Sequence, residues 1–222
     1  MFHIHKHLFS GSLLGVVAGL CISATPVSAE ESSQWLGSGE WSGFHAGVHL
    51  GGVLLNSKGV DQNAIFDTFD SQVKGGLIGL QLGVNRQQEQ WIFGLESDLS
   101  LGNIQGTHMT SIGLIAETNV DYIATLRPRV GRLFGNTLAY ATTGIAFSRM
   151  EAEFQGNPPS DKKTHTGFTV GAGLEHRLSS KLSVKGDWLY TNFNSKVYSA
   201  SGGQASLDPD GHLLRVGLNY SF

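Results

Sequence analysis

The chain is short of charge, proline and cysteine, and it shows no helical periodicity. Charged residues are 15 % of its 222 residues, where a soluble domain carries about 25 %, so a water-facing exterior would be poorly solvated. Prolines number 5 and cysteines 1, whereas glycines number 30. The lone Cys21 falls in the N-terminal segment, and Leu20 precedes it where a lipoprotein signal needs a small residue. The mature chain is therefore expected to hold no disulfide, thiolate metal site or cysteine nucleophile. The net charge of −3 comes without a basic run, so no nucleic-acid partner is expected. From Trp41 onward, no helix-length window carries a convincing 3.6-residue apolar period.

What is present begins with a targeting signal. Lys6 lies among His3, His5 and His7, an apolar stretch runs from Leu8 to Ile22, and Val27-Ser28-Ala29 closes it. This predicts a signal peptide over 1–29, cleaved after Ala29. Its apolar stretch is shorter than the roughly 20 residues that span a bilayer. A periplasmic linker over 30–40 would then lead to one barrel domain over 41–222.

Period-2 alternation recurs along that domain. Phe44, Ala46, Val48 and Leu50 alternate with His45, Gly47, His49 and Gly51. Ile78, Leu80, Leu82 and Val84 alternate with Gly79, Gln81, Gly83 and Asn85. The pattern returns around Trp91–Leu101, Val120–Arg129, Phe168–Arg177, Leu182–Tyr190 and His212–Phe222. A segment about Thr137–Phe147, apolar on both faces, completes eight strands, most of about 10 to 13 residues against the usual 5 or 6 of globular sheets. Short connections (Arg86–Gln90, Leu133–Asn136, Ser179–Ser180) alternate with long polar ones, roughly Leu55–Lys74, Asn103–Thr118, Met150–Lys163 and Asn194–Gly211. That pattern predicts an all-β fold, an eight-stranded antiparallel up-and-down transmembrane β-barrel. Turns and both termini would be periplasmic, and the long loops extracellular.

A soluble lipocalin-like barrel would show the same period with its apolar face inward. Four features point to lipid instead: a glycine-rich polar face, few charges on it, aromatics near strand ends (Trp41, Phe44, Trp91, Trp188, Tyr190, Tyr220, Phe222), and strands of membrane length. The polar-face charges then fall inside the barrel. They are Glu96, Asp98, Asp121, Glu175 and Asp187 against Arg127, Arg129, Arg177, Lys185 and Arg215. Buried charges persist when paired, so a cross-lumen ion-pair network is expected in an interior just wide enough for side chains. Such a network either only holds the barrel together or rearranges to pass small solutes.

Trp41–Gly47 (against W-x-G-F-Y-x-G), Gly94–Asp98 (G-x-E-x-D), Leu126–Gly131, Tyr140–Phe147, Gly167–Glu175, Leu189–Phe193 and Val216–Phe222 follow one another along the chain. In that order they resemble the opacity-like surface-antigen or porin family of small alphaproteobacterial outer-membrane proteins. His45 stands where the family has Tyr, and Pro128 where it usually has no proline; the proline should cost one ladder hydrogen bond. The resemblance implies an abundant integral outer-membrane protein of structural or surface-antigen type, with at most weak porin activity and no catalytic residue to carry over. Tyr220 and Phe222 look like the C-terminal signal read by the outer-membrane assembly machinery. Some relatives are described as haemin-binding, so haem is the one cofactor the resemblance brings in.

An imidazole can ligate haem iron. His108 and His165, in expected outer loops, are the candidates, from a set that includes His45, His49, His176 and His212. His45 and His49 share one strand face, but four residues span roughly 13 Å, too far for one metal. A lipid-active barrel enzyme would need a Ser, a His and an acid at the rim; His108, Ser111 and Glu117 supply the types without a recognisable spacing. Asp61, Asp67 and Asp70 fit no calcium-loop pattern. The remaining expected partners are outer-membrane lipid and a host or surface ligand met by the long loops.

Overall fold

Alternation with a short two-residue connection makes a hairpin, and repetition of hairpins makes this molecule. The computed structural model describes the backbone of residues 39–61, 68–109, 115–154, 161–200 and 203–222, and the side chains of 39–56, 72–102, 104, 119–151, 163–196 and 209–222. The expected signal peptide and most of the linker lie outside these residues. The described elements are all strands: β1 (Gly43–Asp61), β2 (Thr68–Gln88), β3 (Trp91–Met109), β4 (Ile115–Phe134), β5 (Thr137–Phe154), β6 (Asp161–Arg177), β7 (Leu182–Phe193), β8 (Lys196–Ala200) and β9 (Gly203–Ser221). Neighbours pair antiparallel from β1 through β7, β7 pairs β9, and β9 closes on β1. The barrel wall is thus eight strands, and β8 only extends the β9 hairpin beyond a break at Asn194–Ser195.

Two turns at one end are minimal. Gln88 pairs Trp91 across Glu89-Gln90, and Phe134 pairs Thr137 across Gly135-Asn136. Each starts with a left-handed residue, Glu89 at φ 54° and Gly135 at φ 60°, the conformation that tight hairpins require. We call this the turn end and the opposite rim the loop end.

The strands are longer than the alternation predicts. β2 has 21 residues and β4 has 20, and much of the expected loops is paired hairpin arm. Asn56 pairs Gln72 and Val60 pairs Thr68, in a stretch whose sequence no longer alternates apolar with polar residues. Ladder hydrogen bonds need no apolar side chain, so periodicity marks where lipid ends and not where pairing ends.

The two faces of the wall settle the orientation. Leu50, Ile78, Leu80, Leu82 and Leu214 are each more than 60 % exposed, and Phe44, Val48 and Leu54 continue the outward row on β1. Phe44 to Leu54 spans about 33 Å along the strand, hence roughly 25 Å along the normal at the tilt of such barrels, the height of their apolar band. A lipocalin-like inward apolar face is excluded. One aromatic departs from the expected girdle: Trp41 packs with Leu133 against Ile92, Leu138 and Tyr140 in the turn-end mouth.

The interior is stacked in three layers. Below lies that small apolar group; above, towards the loop end, lies a larger one that includes Val53, Leu55, Ile123, Met150, Phe193 and Leu213. Between them the inward residues are polar and charged.

Candidate functional site

The middle layer is built by strand parity. Glu96 and Asp98 on β3, Arg127 and Arg129 on β4, Glu175 on β6, Lys185 and Asp187 on β7, and Arg215 on β9 all point inward, each less than 5 % exposed. Six of them close a ring of alternating charge. Arg127 Nη2 donates to Glu96 at 2.7 Å and reaches Asp98 at 2.9 Å. Arg215 Nη1 donates to Asp98 at 2.8 Å, and its Nε donates to Asp187 at 2.8 Å. Lys185 Nζ lies 3.2 Å from Asp187 and donates to Glu96 at 2.7 Å, which completes the circuit. Arg129 hangs from it, 3.4 Å from Glu96 and 3.0 Å from Glu175. β3 and β7 are four strands apart in a wall of eight, so the Lys185–Glu96 bond crosses the full width of the lumen.

Neutral side chains satisfy the remaining oxygens. Thr125 donates to Asp98, Ser183 and Asn219 donate to Glu175, and the Tyr140 hydroxyl donates to Asp187 at 3.3 Å. Tyr140 also lies 5.3 Å beneath the Arg129 guanidinium. Its ring occupies the space above Gly173, where a Cβ would come within 2.5 Å of it, so glycine is what lets a tyrosine enter so narrow a lumen. His49 bonds Ser100 at 2.9 Å and Gln81 at 3.2 Å, and His45 stands 3.7 Å from Glu96. Chemically the assembly offers four acids against four bases, held in one connected set and shut between two apolar layers.

Eight of the ten interior charges expected from the sequence meet in this set; two do not. Asp121 is exposed on the outer face, 3.8 Å from Arg149. It is the extra residue of a bulge between Val120 and Tyr122, and a bulge reverses the parity on which its inward assignment rested. Arg177 sits at the turn-end mouth, beyond the ring. It hydrogen-bonds the Glu40 and Ser180 carbonyls, lies 3.8 Å from the Glu40 carboxylate and stacks 5.3 Å from Trp41. Sequence reasoning overlooked Tyr140, because β5 is apolar on both faces. It left Gln81, Asn85 and Asn219 unused, although all three carry the inward parity.

The histidines also move. His165 is no loop residue: it is fully buried inside β6, opposite Ser148, with Nδ1 3.1 Å from the Asn194 carbonyl. It therefore does not face molecules arriving from outside. His108 belongs to the ladder of β3, opposite Ala116, and its side chain lies outside the described residues. So do those of Ser111, Glu117, Asp61, Asp67 and Asp70. His212 is exposed on the outer wall, stacked on Trp188 at 5.7 Å. Pro128 interrupts the β4–β5 register between Leu126 and Arg129, and the Thr142 hydroxyl bonds its carbonyl at 2.8 Å. At the C-terminus Tyr220 and Phe222 are exposed side by side, 5.4 Å apart, with the Phe222 amide donating to the Phe44 carbonyl.

Comparison with known proteins agrees with this geometry. The family model described as outer membrane protein beta-barrel domain matches residues 14–222. A 22 kDa outer membrane protein of Rhizobium leguminosarum bv. viciae is 29 % identical over 83 % of this chain and 80 % of its own. A 31 kDa outer-membrane immunogenic protein of Brucella melitensis is 26 % identical over 98 % of this chain and its own full length. Among solved structures, the outer membrane protein OprG of Pseudomonas aeruginosa overlays with a TM-score of 0.61 at 11 % identity, over 82 % of this chain and 97 % of its own; that likeness speaks to the fold.

Proposed function

We propose, from the premise that this chain belongs to the outer membrane protein beta-barrel domain family and is an integral barrel of the cell outer membrane, that its lumen is sealed. In this reading the protein is a structural and surface-antigen barrel, not an enzyme, with at most weak porin activity. One observation carries it: a connected set of eight buried charges crosses the lumen between two apolar layers. A conducting path would have to part buried ion pairs and wet apolar packing at the same time, and both are expensive.

Topology follows from the same reading. Residues 1–29 are removed on export, the turn end faces the periplasm, and the long hairpin arms stand outside as the recognised surface. The Brucella melitensis relative named as immunogenic supports surface exposure. Tyr220 and Phe222, exposed at the turn end, are offered to the assembly machinery. Haemin capture through His108 and His165 draws no support, since one of its two ligands is enclosed in the barrel.

Planar-bilayer recording of the refolded chain tests the sealed lumen. The expected trace is silent or shows rare, small openings. A steady ohmic current from the wild-type protein would overturn the reading.

A further inference from the structure

Exposed cations stand on the outer wall towards both ends. At the loop end Arg149 meets Asp121 at 3.8 Å. At the turn end, Arg86, Arg132 and Lys181 form no ion pair among the described residues. Two of these cations are nevertheless held in place. Arg132 lies over Trp91 at 6.0 Å and over Phe134 at 5.8 Å, and hydrogen-bonds Gln90 at 3.1 Å. Lys181 lies over Tyr220 at 5.6 Å.

Register puts Arg86 and Arg132 on either side of one ledge. Arg86 pairs Phe93, and Arg132 pairs Trp91, from the two strands that flank β3. Two strand spacings and two residue steps separate their Cα atoms by about 12 Å, a gap that two extended arginine side chains can close on one phosphodiester. Between them Trp91 and Phe93, each 46 % exposed, present the amphipathic and apolar surface that sits at headgroup level.

We infer that Arg86 and Arg132, with the Trp91–Phe93 ledge between them, form a site for the headgroup of an anionic phospholipid in the leaflet at the turn end. The guanidiniums hydrogen-bond the phosphate, and the glycerol and upper acyl chains lie on the aromatic ledge. Stacking on Trp91 and Phe134 pre-sets Arg132 for this, so little side-chain freedom is lost on binding. Among the described residues towards the loop end, Arg149 is met instead by Asp121.

The experiment uses the full chain, with Trp35→Phe and Trp188→Phe so that Trp91 reports from the lipid face, in phosphatidylcholine vesicles with increasing phosphatidylglycerol. Bromines are placed on one lipid or the other, and Trp91 quenching yields their relative association. The expected preference for phosphatidylglycerol is about fivefold or more, as a basic residue near an anionic surface supplies. It falls to near one in Arg86→Gln/Arg132→Gln and largely survives in Arg86→Lys/Arg132→Lys. A preference near one in the parent chain, or one unchanged by the glutamines, overturns the proposal. A heat-dependent gel shift checks that each variant is folded. If the glutamine variant fails to fold, salt decides on the parent chain: the preference must drop in about 0.5 M sodium chloride, and a salt-insensitive preference overturns the site.

Discussion

The lumen at mid-height and the lumen near the loop end lie in the same barrel and are filled by opposite chemistry. At mid-height Glu96, Arg127, Asp98, Arg215, Asp187 and Lys185 stand in a ring, and every charge has neighbours of the other sign. Above it Leu55, Ile123, Phe193 and Leu213 pack without a charge among them. The first layer is directional: each member fixes its neighbours, and removing one strands two. The second is additive, because dispersion and apolar burial accrue atom by atom. A lumen can therefore be closed in two ways, and this protein stacks both, the specific below the non-specific.

Arg215→Met puts the difference between the two layers under the greatest strain. It leaves Asp98 and Asp187 short of a partner in a buried layer, and a loss of about 3–5 kcal/mol is expected in urea unfolding from lipid vesicles. A loss under about 1 kcal/mol would mean that water reaches those carboxylates, and the ring would no longer differ in kind from the layer above. Leu213→Ala probes that layer and is expected to cost about 3 kcal/mol in the same assay, the usual range for a buried leucine. Its effect should add to that of a second apolar substitution well away from it, whereas Arg215→Met and Asp187→Leu should couple strongly. The smallest effect belongs to the outer wall. Arg149→Met breaks the exposed contact with Asp121 and should change stability by no more than about 1 kcal/mol. A larger loss there would erase the contrast between a buried and a surface ion pair.

Much of this was legible in the residue order, for a physical reason. Alternation in a strand depends on nearest neighbours, so the eight wall strands, the outward faces of Leu80 and Leu214, and the inward parity of Glu96, Asp98, Lys185 and Arg215 can be read locally. Three residues show where local reading stops. Asp121 needed knowledge of a bulge, which arises from how β4 meets both β3 and β5. Arg177 has the parity of the interior but lies past the end of the layered core, so height as well as facing decides. His165 looked like a loop residue because β6 continues in paired form where its periodicity has lapsed.

The eight-stranded wall, the lipid-facing band and the set of charges available to the lumen are written in the residue order, because each follows from short-range pattern and from the scarcity of charge elsewhere. Which charge meets which was decided only by tertiary structure. Lys185 finds Glu96 across 89 residues and Arg215 finds Asp98 across 117. Those meetings depend on closure, stagger and lumen width, which no strand carries alone.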